Sequence, residues 1–224
     1  MTIIKAKSWK ILEILFFILT LLFIIVNAYI NDDNIVAVIS ALCGITYTFI
    51  AGKGHPICYL FGVTGSAFYC LLSYQNHLWG NLILYAAYYL PMQILGFFRW
   101  NKNLKTGKKT IVKINLPKKE LCKLISILTI ITFFVYLTLV FSHDKNPILD
   151  SITTVFSIGG MYLTVRRAVE QWLFWLVVNI LSLGMWIGVV LDGTKVYSTL
   201  IMWSVYLILA IYFYFDWKKE MKNN

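Results

Sequence analysis

Charge is scarce in this chain. Only 13% of its 224 residues are charged and 59% are hydrophobic, whereas a soluble domain has roughly a quarter charged and about half apolar residues. That excludes an ordinary soluble domain and indicates a membrane protein. Histidine occurs three times, as His55, His77 and His143, always between apolar runs, so a serine inside such a run has no imidazole base. The four cysteines, Cys43, Cys58, Cys70 and Cys122, form no Cys-x-x-Cys pair. They predict neither a disulfide framework nor a metal site and read as reduced packing residues. His-Glu-x-x-His and Gly-x-Ser-x-Gly are both missing. No catalytic residue, metal or cofactor is assigned, and an enzyme is not expected.

Apolar runs are what the chain has in abundance. Eight of them, near 11–30, 35–51, 57–74, 80–98, 121–142, 149–165, 171–191 and 196–216, have about the length that crosses a bilayer. The first is long enough to span, and no small-residue cleavage site follows it, so a cleavable signal is not expected. Pro56 and Pro147 stand at or just before helix starts, where a missing N–H costs little. Pro91 lies inside the fourth run and is expected to kink it. Asp150-Ser151 is expected to cap the sixth helix.

The basic residues set the topology. With the N-terminus inside and eight crossings, every Lys and Arg except Lys145 and Lys195 falls on the cytoplasmic side, as the positive-inside rule requires. Asp32, Asp33, Asp144, Asp150 and Asp192 gather on the other face. The net charge of +10 is therefore a rim facing anionic lipid, and nucleic acid is not an expected partner. Both termini are expected in the cytoplasm.

The longest connection, 101–119, divides the chain near its middle and invites a search for a repeat. An offset of 117 lays Tyr89-Leu90, Ile94, Phe98 and Trp100 on Tyr206-Leu207, Ile211, Phe215 and Trp217. Two three-helix units joined by a single crossing then enter the membrane from the same side, a parallel 3+1+3 repeat with an extra N-terminal helix. The expected divisions are 1–33 for the cytoplasmic N-terminus and extra helix and 34–100 for the first bundle. The basic loop and linking helix take 101–147, the second bundle 148–217 and the tail 218–224. Parallel repeats of this kind belong to transporters.

Candidate binding residues follow from polar groups on apolar helices. Trp172, Trp175 and Asn179 lie at i, i+3 and i+7, and Ser182 and Trp186 continue the stripe. An amide in lipid is expected to face the interior. Two indoles and an amide suit a flat, partly cationic ring bearing hydroxyls, with a cation–π attraction of roughly 0.5–2 kcal/mol. On the fourth segment Tyr85, Tyr89 and Gln93 form a second stripe, next to Pro91. Tyr47, Tyr59, Tyr69 and Trp203 read as core or lipid-facing. No Asp or Glu falls in the middle of an apolar run, whereas an ion-coupled pump normally holds an intramembrane acid. Facilitated diffusion is the expected mode.

The run Arg166-Arg167-x-Val169-Glu170-x-Trp172-Leu173-x-Trp175-x-x-x-Asn179 resembles the corresponding segment of PnuC-type vitamin transporters. So do Asp150-Ser151 upstream and Gln93-x-x-Gly96-Phe97-Phe98-x-Trp100, although Phe97 and Phe98 stand where that family usually has Trp and Tyr. The resemblance runs from the second helix onward. It implies a fold like full-length SWEET sugar transporters, a homotrimer, and uniport of nicotinamide riboside in a bacterial inner membrane, with a cytoplasmic kinase trapping the product. It also implies that Trp172 and Trp175 contact the ligand ring and Asn179 its polar groups. Thiamine, riboflavin or a deoxynucleoside are alternative cargoes. Pro91-Met92-Gln93 interrupts the Pro-Gln pair common in SWEET-like repeats, which counts against a sugar. A non-transporting structural or sensor subunit is the reading from another class.

Overall fold

The regular structure of the computed structural model is helical throughout the described residues, with two isolated β-bridges in connections. The structure describes residues 2–31, 34–75, 79–107, 109–143, 146–191 and 197–222, and their side chains except 2–10, 79–81, 186, 189, 190 and 197–199. The helices are α1 (Thr2–Asn31), α2 (Ile35–Gly52), α3 (Cys58–Gln75), α4 (Trp79–Leu84), α5 (Leu90–Asn101), α6 (Lys118–Phe141), α7 (Pro147–Val165), α8 (Gln171–Leu191) and α9 (Tyr197–Lys222). A π-helical turn, Tyr85–Tyr89, joins α4 to α5. Counting α4, that turn and α5 as one rod, eight rods lie on the eight apolar runs.

Pro91 explains the π turn. It has no N–H to give, and its ring crowds the carbonyl one turn back. The chain widens just ahead of it, with Leu90 N–H donating to Tyr85 O five residues earlier, the π pattern. Where the sequence predicts a kink at Pro91, the backbone shows a π turn just ahead of it. At α7 the expected cap shifts. Pro147 occupies the first turn with Asn146 at the N-cap, so Asp150 and Ser151 lie inside the helix, and Ser151 Oγ donates to Ile148 O at 2.9 Å.

Packing produces two groups that close on each other. In one, α3 packs on α2 and α5; in the other, α8 packs on α7 and α9. Across the divide α5 meets α7 and α9 meets α2, while α6 packs on α7 and α1 on α2 and α9. Trp100, Trp217, Tyr59 and Phe213 are fully buried where the groups meet. Trp100 Nε1 donates to Thr164 O, in the last turn of α7, at 2.9 Å. Trp217 Nε1 donates to Gly52 O, the last carbonyl of α2, at 2.6 Å. Burying an indole N–H is tolerable only with such an acceptor.

The basic connection is threaded rather than loose. Ile111 N donates to Gly54 O at 2.9 Å, and Ile114 N to Arg167 O at 3.0 Å, with Val169 N returning to Ile114 O at 2.9 Å. The segment thus lies across both the α2–α3 and the α7–α8 turns. Lys113 sits 4.6 Å over the Trp217 ring and pairs with Glu220 at 2.5 Å, as does Lys105. Burial lowers the Lys113 pKa from its ordinary 10.5, against the pull of Glu220. At the other flank Glu13 of α1 accepts from both Lys53 and the Tyr212 hydroxyl.

Candidate functional site

The α8 stripe divides once neighbours are present. Residues three apart on a helix point about 60° apart, so Trp172 and Trp175 turn to different partners. Trp172, 3% exposed, lies 5.4 Å from Phe213 and edge-on to Trp217 at 5.6 Å. Its buried Nε1 finds no acceptor among the described residues. Trp175 turns to α7, where Nε1 donates to Thr164 Oγ1 at 3.2 Å and its ring covers Gly160. Asn179 is 4% exposed and Ser182 is buried as well, so both polar residues face the interior, as expected. The side chain of Trp186 lies outside the described residues.

The second stripe is a ring stack with a buried amide below it. Tyr69 and Tyr85 are 4.3 Å apart at 33°, and Tyr85 and Tyr89 are 4.7 Å apart at 30°. Gln93, 5% exposed, donates Nε2 to Ser66 Oγ at 3.0 Å. Its Oε1 is buried with no donor among the described residues. A buried amide with one open acceptor carries a real cost, which a ligand donor would relieve. Gly62 makes room here, since a Cβ on it would meet Tyr47 and stand 3.2 Å from Gln93 Cδ.

Helix α7 stands between the stripes. Tyr88 donates its hydroxyl to Ile158 O at 2.7 Å, Tyr47 OH reaches Met161 Sδ at 3.8 Å, and Trp175 lies on Gly160 and Thr164. The segment from Ile158 to Thr164 is thus touched from both sides. The sequence pattern does not single out these α7 residues, and it places Tyr69 with the core or lipid-facing aromatics. The signal was available in Gly159-Gly160, a small-residue pair where membrane helices approach closely, and in Thr164 four residues on.

Rings, hydroxyls and amides line this interior, and no cluster of metal-ligating side chains occurs among the described residues. Several charged pairs stand at helix ends. Arg166, for example, pairs with Glu120 at 2.7 Å, which raises its pKa. Rods long and apolar enough to cross a bilayer, such as Lys118–Phe141 and Pro147–Val165, with polar groups buried between them, define a multi-pass membrane protein.

Comparison with known proteins narrows the class. A family model described as nicotinamide mononucleotide transporter matches residues 34–219, beginning after α1. The chain is 30% identical over 224 residues to the nicotinamide riboside transporter PnuC of Haemophilus influenzae, covering 97% of this chain and 94% of that one. It is 31% identical over 199 residues to the protein of the same name from Neisseria mucosa, covering 87% and 76%. The crystal structure of the vitamin B3 transporter PnuC superposes with a TM-score of 0.82 at 28% identity, over 95% of this chain and 92% of that chain. The chain belongs to the nicotinamide mononucleotide transporter family. That family comprises transporters, not enzymes, and the resemblance to PnuC-type transporters holds at the level of the family.

Proposed function

We propose that the chain carries nicotinamide riboside across a bacterial inner membrane by facilitated diffusion, with cytoplasmic phosphorylation preventing its return. The observation that carries the substrate is the similarity to nicotinamide riboside transporters along nearly the whole chain. The lining agrees with it: indoles and tyrosines suit a pyridinium ring, and amides suit ribose hydroxyls. Trp172, Trp175, Asn179, Gln93, Tyr89, Tyr85 and Trp186 are the proposed binding residues.

The uniport reading is supported by where the acids lie. Glu120, held by Arg166, and Glu220, held by Lys105 and Lys113, stand at helix ends, while Glu13, held by Lys53 and Tyr212, lies at the start of the apolar run 11–30. Both termini lie in the cytoplasm in this reading, as the basic rim requires. Residues 34–100 and 148–217 form two parallel units, joined by 101–147, with 1–33 as the extra helix and 218–224 as a tail. The reciprocal bonds of Trp100 and Trp217, and the matching α5–α7 and α9–α2 contacts, support such a repeat. A homotrimer is the proposed assembly, resting on the family resemblance.

Purified protein in liposomes tests this. Uptake of nicotinamide riboside without ion gradients is expected, with Asn179→Leu losing it while still folding. Preferential binding of thiamine, riboflavin or thymidine would sink the substrate. Uptake that collapses without a proton or sodium gradient would sink the uniport mode.

A further inference from the structure

We infer that Gly160 and Thr164, four residues apart on α7, are positioning residues that fix the plane of the Trp175 indole and thereby set the affinity for a flat-ring ligand. This rests on the proposed role of Trp175 in ligand binding. The Thr164 hydroxyl has one proton, and it is committed: Oγ1 donates to Gly160 O at 2.8 Å. Only lone pairs remain on that oxygen, and one accepts Trp175 Nε1–H at 3.2 Å. The hydroxyl therefore has a fixed orientation with its acceptor side toward the indole. Threonine suits this task, because in a helix its hydroxyl readily bonds a carbonyl one turn back.

Gly160 supplies the other half of the shelf. A Cβ there would stand 3.1 Å from Trp175 Cε2 and 3.3 Å from Cδ2 and Cζ2, so the ring rests over bare backbone. The indole is stopped on one face by Gly160 and anchored at its N–H edge by Thr164. Rotating the ring would strip a partly buried donor of its acceptor, which is costly. Thr164 is itself 2% exposed, and its carbonyl accepts the indole N–H of Trp100, so the shelf is held from the α5 side too.

The test uses the full chain, nicotinamide riboside, and four single variants. Thr164→Val keeps the side-chain shape and the carbonyl to Trp100 but removes the acceptor. It is expected to weaken binding roughly 5- to 10-fold, raising KM for uptake with the maximal rate unchanged. Thr164→Ser, which restores the hydroxyl, is expected to stay within about twofold of the parent. Gly160→Ala is expected to weaken binding by pushing the ring off its plane. Trp175→Phe should weaken binding on its own, and adding Thr164→Val to it should cause no further loss. A shift of tryptophan emission on Thr164→Val, absent in the Trp175→Phe background, would report the freed N–H. If Trp175→Phe weakens binding while Thr164→Val and Gly160→Ala do not, the positioning role is wrong and the site stands. If Trp175→Phe binds like the parent, the site itself is wrong and the positioning role falls with it. An equal further loss in the double variant would also overturn the inference.

Discussion

Trp100 and Trp217 lie 6.5 Å apart, and each gives its indole N–H to the backbone of the group to which it does not belong. Trp100 ends α5 and bonds α7; Trp217 lies near the end of α9 and bonds α2. Tyr59 meets Trp100 edge-on at 5.1 Å, and Trp172 meets Trp217 edge-on at 5.6 Å. Four rings thus form a continuous seam at one end of the bundle.

The two indoles are not equally replaceable. Thr164 O also accepts from Arg167 N at 2.9 Å, so Trp100→Phe leaves that carbonyl with a partner. Trp217→Phe strips Gly52 O of the donor the fold gives it. The expected loss for Trp217→Phe is about 1–3 kcal/mol beyond the volume change common to both. Thermal unfolding of both variants in detergent checks this, and equal melting temperatures would contradict it.

Close approach at glycine supplies a second test. A Cβ on Gly52 would enter the Phe213 ring, and one on Gly96 would enter the Tyr59 ring. Gly52→Ala and Gly96→Ala should each cost about 1–3 kcal/mol through overpacking. Gly184 has nothing within 4 Å of such a Cβ, so Gly184→Ala should be neutral or slightly stabilising, and serves as the control in the same melt.

The tie between α1 and the bundle is electrostatic as well as apolar. Glu13 and Lys53 keep 15% and 35% of their side chains exposed, so solvent screens the pair and its worth is modest. A double-mutant cycle with Glu13→Gln and Lys53→Met should give a coupling of roughly 1 kcal/mol, shrinking in high salt.

Lys113 predicts an alkaline signature. Because burial lowers its pKa in the fold, the unfolded chain binds more protons between that value and 10.5. The cost of burying the ammonium is full below the folded pKa and is relieved as pH rises toward 10.5, so stability gains with pH in that window. Relative to Lys113→Met, the parent should therefore gain stability from pH 8 toward pH 10. Urea titrations across that range would show the two curves converging or separating accordingly, and a parent that loses ground would reverse the sign.

The eight rods were legible because run length and basic flanks are properties of single segments. The inward-facing Asn179 and Gln93 were legible for a similar reason, since an amide on an apolar helix has few places to go. The division of labour between Trp172 and Trp175 was not, because about 60° of rotation means nothing until α9 and α7 are in place. The course of residues 102–117 was hidden too. Its ties to the two turns run through main-chain groups of Ile111 and Ile114, which any residue but proline could supply. The π turn lay between these extremes: Pro91 announced an irregularity, and only the backbone shows which bond it takes.

The threaded connection has a consequence for how the polypeptide can be divided. Gly107 is exposed, with φ of 68° and open space around it, at the tip between bridged Leu104 and Ile111. The residues of this connection that bond Gly54 and Arg167, namely Ile111, Val112 and Ile114, lie downstream of that tip. A break after Gly107 gives two fragments in which the second carries, through Ile111, its own clasp for the first. Coexpressed pieces divided there should find each other in the bilayer, whereas a break after Lys113 would hand that clasp to the first fragment and leave it to reach Gly54 alone.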